Sequence, residues 1–135
     1  MPIRMSLSRI LMCDSSDAHI VELREEDGER VFPITIGRTE VLAIERRLMG
    51  HEPPRPQTHE LFAATLDALG YELDKILIND LRDHTFFARL HLRPQGGGEI
   101  IDIDSRPSDA IALGVATEAP IYVSEAVLDE VCNAE

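Results

Sequence analysis

Residues 85–93 alternate without a break: Phe86, Ala88, Leu90 and Leu92 fall on one side, and Phe87, Arg89 and His91 on the other. Of the regular structures, the strand has a period of two, and a strand with one apolar face must bury that face against another layer. The chain therefore needs a sheet and something to cover it. A second apolar run at 71–81, centred on Ile76, Leu77 and Ile78, precedes it across the short turn Arg82, Asp83, His84. The two read as a hairpin.

The first 36 residues carry three more strand signals. Ile3, Met5 and Leu7 face one way at the start of 3–12, and the segments 18–24 and 30–36 follow turns at 14–17 and 25–29. Pro33 lacks an N–H, which suits an edge strand. Helical spacing then takes over. Val41, Ile44 and Leu48 recur between Gly37 and Gly50, with Thr39 as the cap. Prolines 53, 54 and 56 exclude a helix at 51–57. After them Thr58 caps a second helix with a buried stripe of Leu61, Phe62, Thr65, Leu66 and Leu69, stopped by Gly70. A strand at 99–104 leads through Asp104 and Ser105 as caps into a third helix with Pro107 in its first turn and small residues from Ala110 to Ala116. A short strand at 120–123 and a final helix capped by Ser124 complete the chain. Strands cluster instead of alternating one for one with helices. The expectation is a single α+β domain over 1–135, its sheet mixed and largely antiparallel, with about four helices.

Charge narrows the partners. The net charge is −12, and it is uneven: residues 1–57 hold eight arginines against ten acids, while 58–135 hold five bases against fifteen. The acidic half repels phosphates at long range, so nucleic-acid contact is expected near the arginines of the first half. No apolar run reaches the roughly 20 residues that span a bilayer, and the N-terminus does not read as a signal peptide. A cytoplasmic protein with no membrane partner is expected. Cys13 and Cys132 stand far apart with no ligand-type neighbour at metal spacing.

The common catalytic signatures are absent: no G-x-S-x-G, Walker loop, H-E-x-x-H, C-x-x-C pair or dinucleotide fingerprint occurs. Two junctions could carry chemistry. At 101–109, Asp102 and Asp104 share one strand face and Asp109 sits in the first turn of the next helix. Three carboxylates there offer hard oxygens to Mg²⁺ or Mn²⁺, which would polarise a phosphate and activate water. The plainer reading makes Asp104 and Ser105 caps, Asp109 a partner of the helix dipole, and Arg106 a salt-bridge residue. At 54–60, a rigid proline loop with Arg55 feeds a helix start at Thr58 and His59. That suits an anion at free amides and a proton carrier near neutral pH, or simply a stiff linker with a capping threonine. Arg38, Arg46 and Arg47 form a third group, whose plainer reading is a solvated helix face on which Arg46 and Arg47 could pair with Glu45 or Glu52.

Several stretches taken together resemble the bifunctional nuclease domain family, as a bacterial member. They are 32–37 with Glu40, Ala43 and Ile44; 54–61; 83–88; 103–113; and 120–123. The likeness spans about residues 5 to 130. It implies a roll-like sheet, frequent dimers, and DNA or RNA as substrate. One departure is Ala116, Thr117 and Glu118, where the family commonly has a basic residue.

Three readings follow. In the first, His59, Asp104 and Asp109 are catalytic, Asp102, Asp104 and Asp109 bind the divalent cation, and Arg55, Thr58, Arg106 and Ser108 hold phosphate. In the second, the chain is a non-enzymatic homodimeric interaction module in which Arg106 and nearby acids form a buried ion network. In the third, the start of the second helix binds a small anion. The first requires the two polar junctions to share one open cleft.

Overall fold

The computed structural model describes residues 1–13, 15 and 17–133; Asp14 and Ser16, two residues of the expected turn at 14–17, lie outside the described residues. Along the chain run β1 (Ile3–Leu11), β2 (His19–Glu25), β3 (Val31–Ile36), α1 (Arg38–Leu48), α2 (Thr58–Ala68), β4 (Tyr71–Arg82), β5 (Thr85–Pro94), β6 (Ile101–Ser105), α3 (Pro107–Thr117), β7 (Ile121–Val123) and α4 (Glu125–Asn133). The strands form one sheet in the order β3-β2-β1-β7-β4-β5-β6. Among the described residues β4 and β7 are parallel and the other neighbouring pairs antiparallel. Pro33 lies on the β3 edge, as its missing donor requires.

The sheet is curled. In a flat sheet the five intervals between β3 and β5 would separate them by about 24 Å. Instead the rings of Phe32 on β3 and Phe86 on β5 stand 5.7 Å apart. Register shifts between Leu7 and Arg9, Leu73 and Lys75, and Ile78 and Asp80 add local twist to the strands that must bend. The β4–β5 hairpin turns on Asp83 and His84, with φ of 50° and 66°, positive values that two-residue hairpins favour.

The core lies between the curled sheet and α3. Ile76, Ile78, Ala88 and Leu90 from the sheet meet Ile111 and Leu113, and Val127 and Leu128 of α4 join them. Small residues let α3 approach closely: a Cβ on Gly114 would lie 3.7 Å from Ile76 and from the Ala119 carbonyl.

Several local expectations need correction. No residue of α2 is fully buried, and Leu61, Phe62 and Leu69 are exposed. The helix packs on α3 and β4 and, among the described residues, is uncovered on its outer side; of the expected stripe Leu66 turns inward, joined by His59 and Ala63, while Thr65 is exposed like the other three. The N-caps are Gly37, Gln57 and Arg106, each one residue before its helix, and not Thr39, Thr58, Asp104 or Ser105. Gln57 N–H donates to Glu60 Oε1 at 2.8 Å, which closes the start of α2. β6 begins at Ile101, two residues later than expected. Arg46 and Arg47 form no ion pair with Glu45 or Glu52 among the described residues, and Arg46 Nε is buried without a partner there.

Candidate active site

The two polar junctions meet. Pro107 fixes the first turn of α3, its preset φ matching the helix and its missing N–H costing no bond. That turn holds Asp109 beside the start of α2, where the second residue is His59. His59 Nε2 lies 3.1 Å from Asp109 Oδ1 across 50 residues of sequence. The histidine side chain is 14% exposed and the aspartate 40%, so one edge of the pair stays open to solvent.

Arg106 closes the other side. Its Nε donates to Asp109 Oδ2 at 3.0 Å, and its Nη2 donates to Glu40 Oε1 at 3.1 Å. The hydrogen bond with Asp109 and its charge, and after them the charge of Glu40, hold the guanidinium above its ordinary pKa, so it stays cationic. Glu40 is buried in the first turn of α1. The chain His59, Asp109, Arg106, Glu40 thus ties α2, α3 and α1 together at one point. The Arg106 side chain remains 68% exposed, so the expected ion network forms but is not a buried one.

His59, Asp109 and Arg106 line a cavity of about 460 Å³ whose other wall is apolar: Phe62, Leu90, Ile103 and Leu113. Thr58 and Asp104 border it too. Phe62 is 42% exposed, a ring presented to the opening.

The remaining expected residues stand elsewhere. Arg55 is exposed and does not line the cavity. Ser108 is buried and borders a different cleft. Asp102 pairs with Arg89 at 2.6 Å and lies 3.6 Å from His91, because the β5–β6 register puts Asp102 and Asp104 on the Arg89 and His91 face. Asp104 reaches Arg89 at 3.5 Å while also bordering the cavity. The three carboxylates 102, 104 and 109 therefore do not converge, and no three His, Cys, Asp or Glu among the described residues are arranged to hold an ion. The donor set does not match the expected Mg²⁺ or Mn²⁺ site.

Glu40 and Phe62 went unassigned in the sequence. Glu40 stands four residues before Ile44 on the buried stripe of α1, and an acid on such a stripe signals a buried partner. Phe62 was hidden by its apolar spacing, which reads equally well as core.

No helix among the described residues is long and apolar enough to cross a membrane. The model of the bifunctional nuclease domain matches residues 21–134. An uncharacterized protein of Mycobacterium tuberculosis is 42% identical over 109 residues, covering 81% of this chain and 63% of that protein. Bifunctional nuclease 1 of Oryza sativa subsp. japonica is 28% identical over 116 residues, covering 84% of this chain and 35% of the rice protein. Bifunctional nuclease 1 of Arabidopsis thaliana is 27% identical over 107 residues, covering 78% of this chain and 33% of the plant protein. The chain thus spans under two thirds of the mycobacterial relative and about a third of the plant ones. With the domain model matched over most of its length, the chain belongs to the bifunctional nuclease domain family.

Proposed function

We propose that the chain hydrolyses phosphodiester bonds of DNA or RNA at the His59, Asp109 and Arg106 cluster. The observation that carries this reading is the 3.1 Å contact between His59 and Asp109 in an open cavity that Arg106 also lines. With Nε2–H donated to Asp109, His59 keeps Nδ1 free to accept a proton. Asp109 fixes that tautomer and steadies the imidazolium that forms. Water attacks phosphorus as His59 takes its proton, the bond from phosphorus to the leaving oxygen breaks, and that oxygen takes a proton from solvent. Arg106 offers the charge and N–H donors that a phosphorane-like transition state needs. The apolar wall of Phe62 and Ile103 suits an unstacked base.

The test is cleavage of labelled single- and double-stranded oligonucleotides by the purified protein, with Mg²⁺, with Mn²⁺ and with chelator. The proposal expects cleavage that His59→Gln lowers by about 10²–10⁴-fold. Equal cleavage by both preparations would mark the activity as a contaminant.

A second reading has its own observation. Leu61 and Phe62 on α2, Leu69 just past its end, and Ile101 and Ile103 on the edge strand β6 are exposed large apolar residues. They favour a homodimeric interaction module. Sedimentation would show a dimer that Leu61→Glu with Ile103→Glu converts to monomer; a monomer in the wild type would dismiss it.

A further inference from the structure

The larger cleft lies on the other flank of Arg106, at the mouth of the curled sheet. It encloses about 620 Å³ between residues 33–37 along the β3 edge, the hairpin end at His84, Thr85 and Phe86, and Pro107 and Ser108 at the start of α3. Arg106 is the residue it shares with the His59 cavity.

Ser108 is the telling group. It is 7% exposed, it lines this cleft, and its hydroxyl makes no hydrogen bond among the described residues. The residue is buried but its oxygen is not sealed off, since the buried side-chain atoms without a partner among the described residues are His19 Nε2 and Arg46 Nε; the hydroxyl therefore opens on the cleft, a donor left for a ligand. Its neighbours point the same way. Ser108 and Asp109 are the second and third residues of an eleven-residue helix. The first intrahelical bond runs from Ala110 N–H to the Arg106 carbonyl, so the two preceding amides have no helical acceptor. Pro107 contributes no N–H to compete. The Ser108 hydroxyl and the Arg106 guanidinium border this cleft beside the free helix-start amides, and donors of these kinds suit an oxyanion. Asp17 at the rim and Glu40 behind Gly37 oppose an anion. At physiological salt charges are screened over about 8 Å, whereas donors in contact act in full.

We propose that this cleft is a second phosphate subsite. It takes a phosphate adjacent to the one held at Arg106 in the smaller cavity, so the substrate is a strand laid across Arg106 and not a mononucleotide. The inference rests on the proposed phosphodiester site for its substrate, but its test does not need catalysis.

The full chain, labelled with ¹⁵N, is titrated with inorganic phosphate, then with a 5′-phosphorylated mononucleotide and dinucleotide. Saturable shifts at the Ser108, Asp109 and Thr85 amides are expected. Ser108→Ala should weaken phosphate by about tenfold, one hydrogen bond to a charged group, and Ser108→Thr should restore it. His59→Gln should leave phosphate affinity at these amides unchanged, even if that variant proves no worse as a nuclease. The dinucleotide should bind more tightly than the mononucleotide in the wild type, and lose that advantage in Ser108→Ala. Shifts confined to the His59 side, equal phosphate affinity in Ser108→Ala, or equal affinity for the two nucleotides would overturn the proposal.

Discussion

Glu40 and Arg106, 66 residues apart, are joined by a 3.1 Å hydrogen bond that fixes the start of α1 against the start of α3. The carboxylate is nearly buried and the guanidinium largely exposed. Glu40 therefore holds Arg106 from behind, while its solvent side stays available. The same guanidinium grips Asp109 at 2.9 Å, so positioning passes from Glu40 through Arg106 to the partner of His59.

Substitution at this joint should be costly in proportion to what is left unpaired. Arg106→Ala strands the Glu40 carboxylate and is expected to cost about 1–3 kcal/mol. That is below the 3–5 of a fully buried pair because water reaches the vacated side. Glu40→Gln keeps the shape and should cost about 1 kcal/mol. In urea denaturation, the double variant should lose less than the sum of the singles, since each removes the same contact.

Glu25 carries an acid-sensitive part of the stability. The hydrogen bond from Arg30 Nε, at 2.6 Å, is the main cause holding its carboxyl below the ordinary glutamate value of 4.5. A lowered folded value means the contribution is full above the unfolded value and is lost as pH falls through the folded one. Glu25→Gln should therefore be less stable than wild type at pH 7, with the gap closing as pH drops below 4.5. A gap that stays constant across denaturation curves at pH 7 and in this acid range would contradict it.

The outward face of α2 should tolerate polar residues. Leu61→Gln and Leu69→Gln should shift stability by no more than about 0.5 kcal/mol, as exposed positions do. Leu128→Ala, fully buried under the sheet, should cost about 2–5 kcal/mol. Calorimetric melting would separate the two classes.

Gly114 sits inside α3 with room for a methyl: the nearest atoms to an added Cβ are 3.7 Å away. Gly114→Ala should stabilise the protein by about 0.5–1 kcal/mol through the lost freedom of the unfolded chain. Thermal melts of the two proteins check this, and a lowered melting temperature would mean that Ile76 and the Ala119 carbonyl cannot accommodate the methyl.

The order of elements was legible because period two and period 3.6 barely overlap in this chain. The alternation at 85–93 gave β5 its buried face, and Pro33 announced an edge. The stripe on α2 misled because apolar spacing does not say which side of a helix has a neighbour; His59 turned inward because Asp109 was there to meet it. Caps slipped by a residue where Gln57 and Arg106, weak capping residues on paper, took extended backbone. The meeting of residues 59 and 109 was posed by sequence as a condition, but the pairing of Glu40 with Arg106 depends on how α1 docks on α3, which no local pattern encodes. The cluster expected at 102, 104 and 109 failed on strand register, which committed Asp102 to Arg89.

The central claim is that His59 and Asp109 act as one unit on a phosphodiester. Cleavage rates of a single-stranded oligonucleotide by wild type, His59→Gln, Asp109→Asn and the double variant, all verified as folded, test it most directly. Groups that act together lose rate together, so the double variant should be no slower than the slower single. Four preparations cleaving at the same rate would contradict the account.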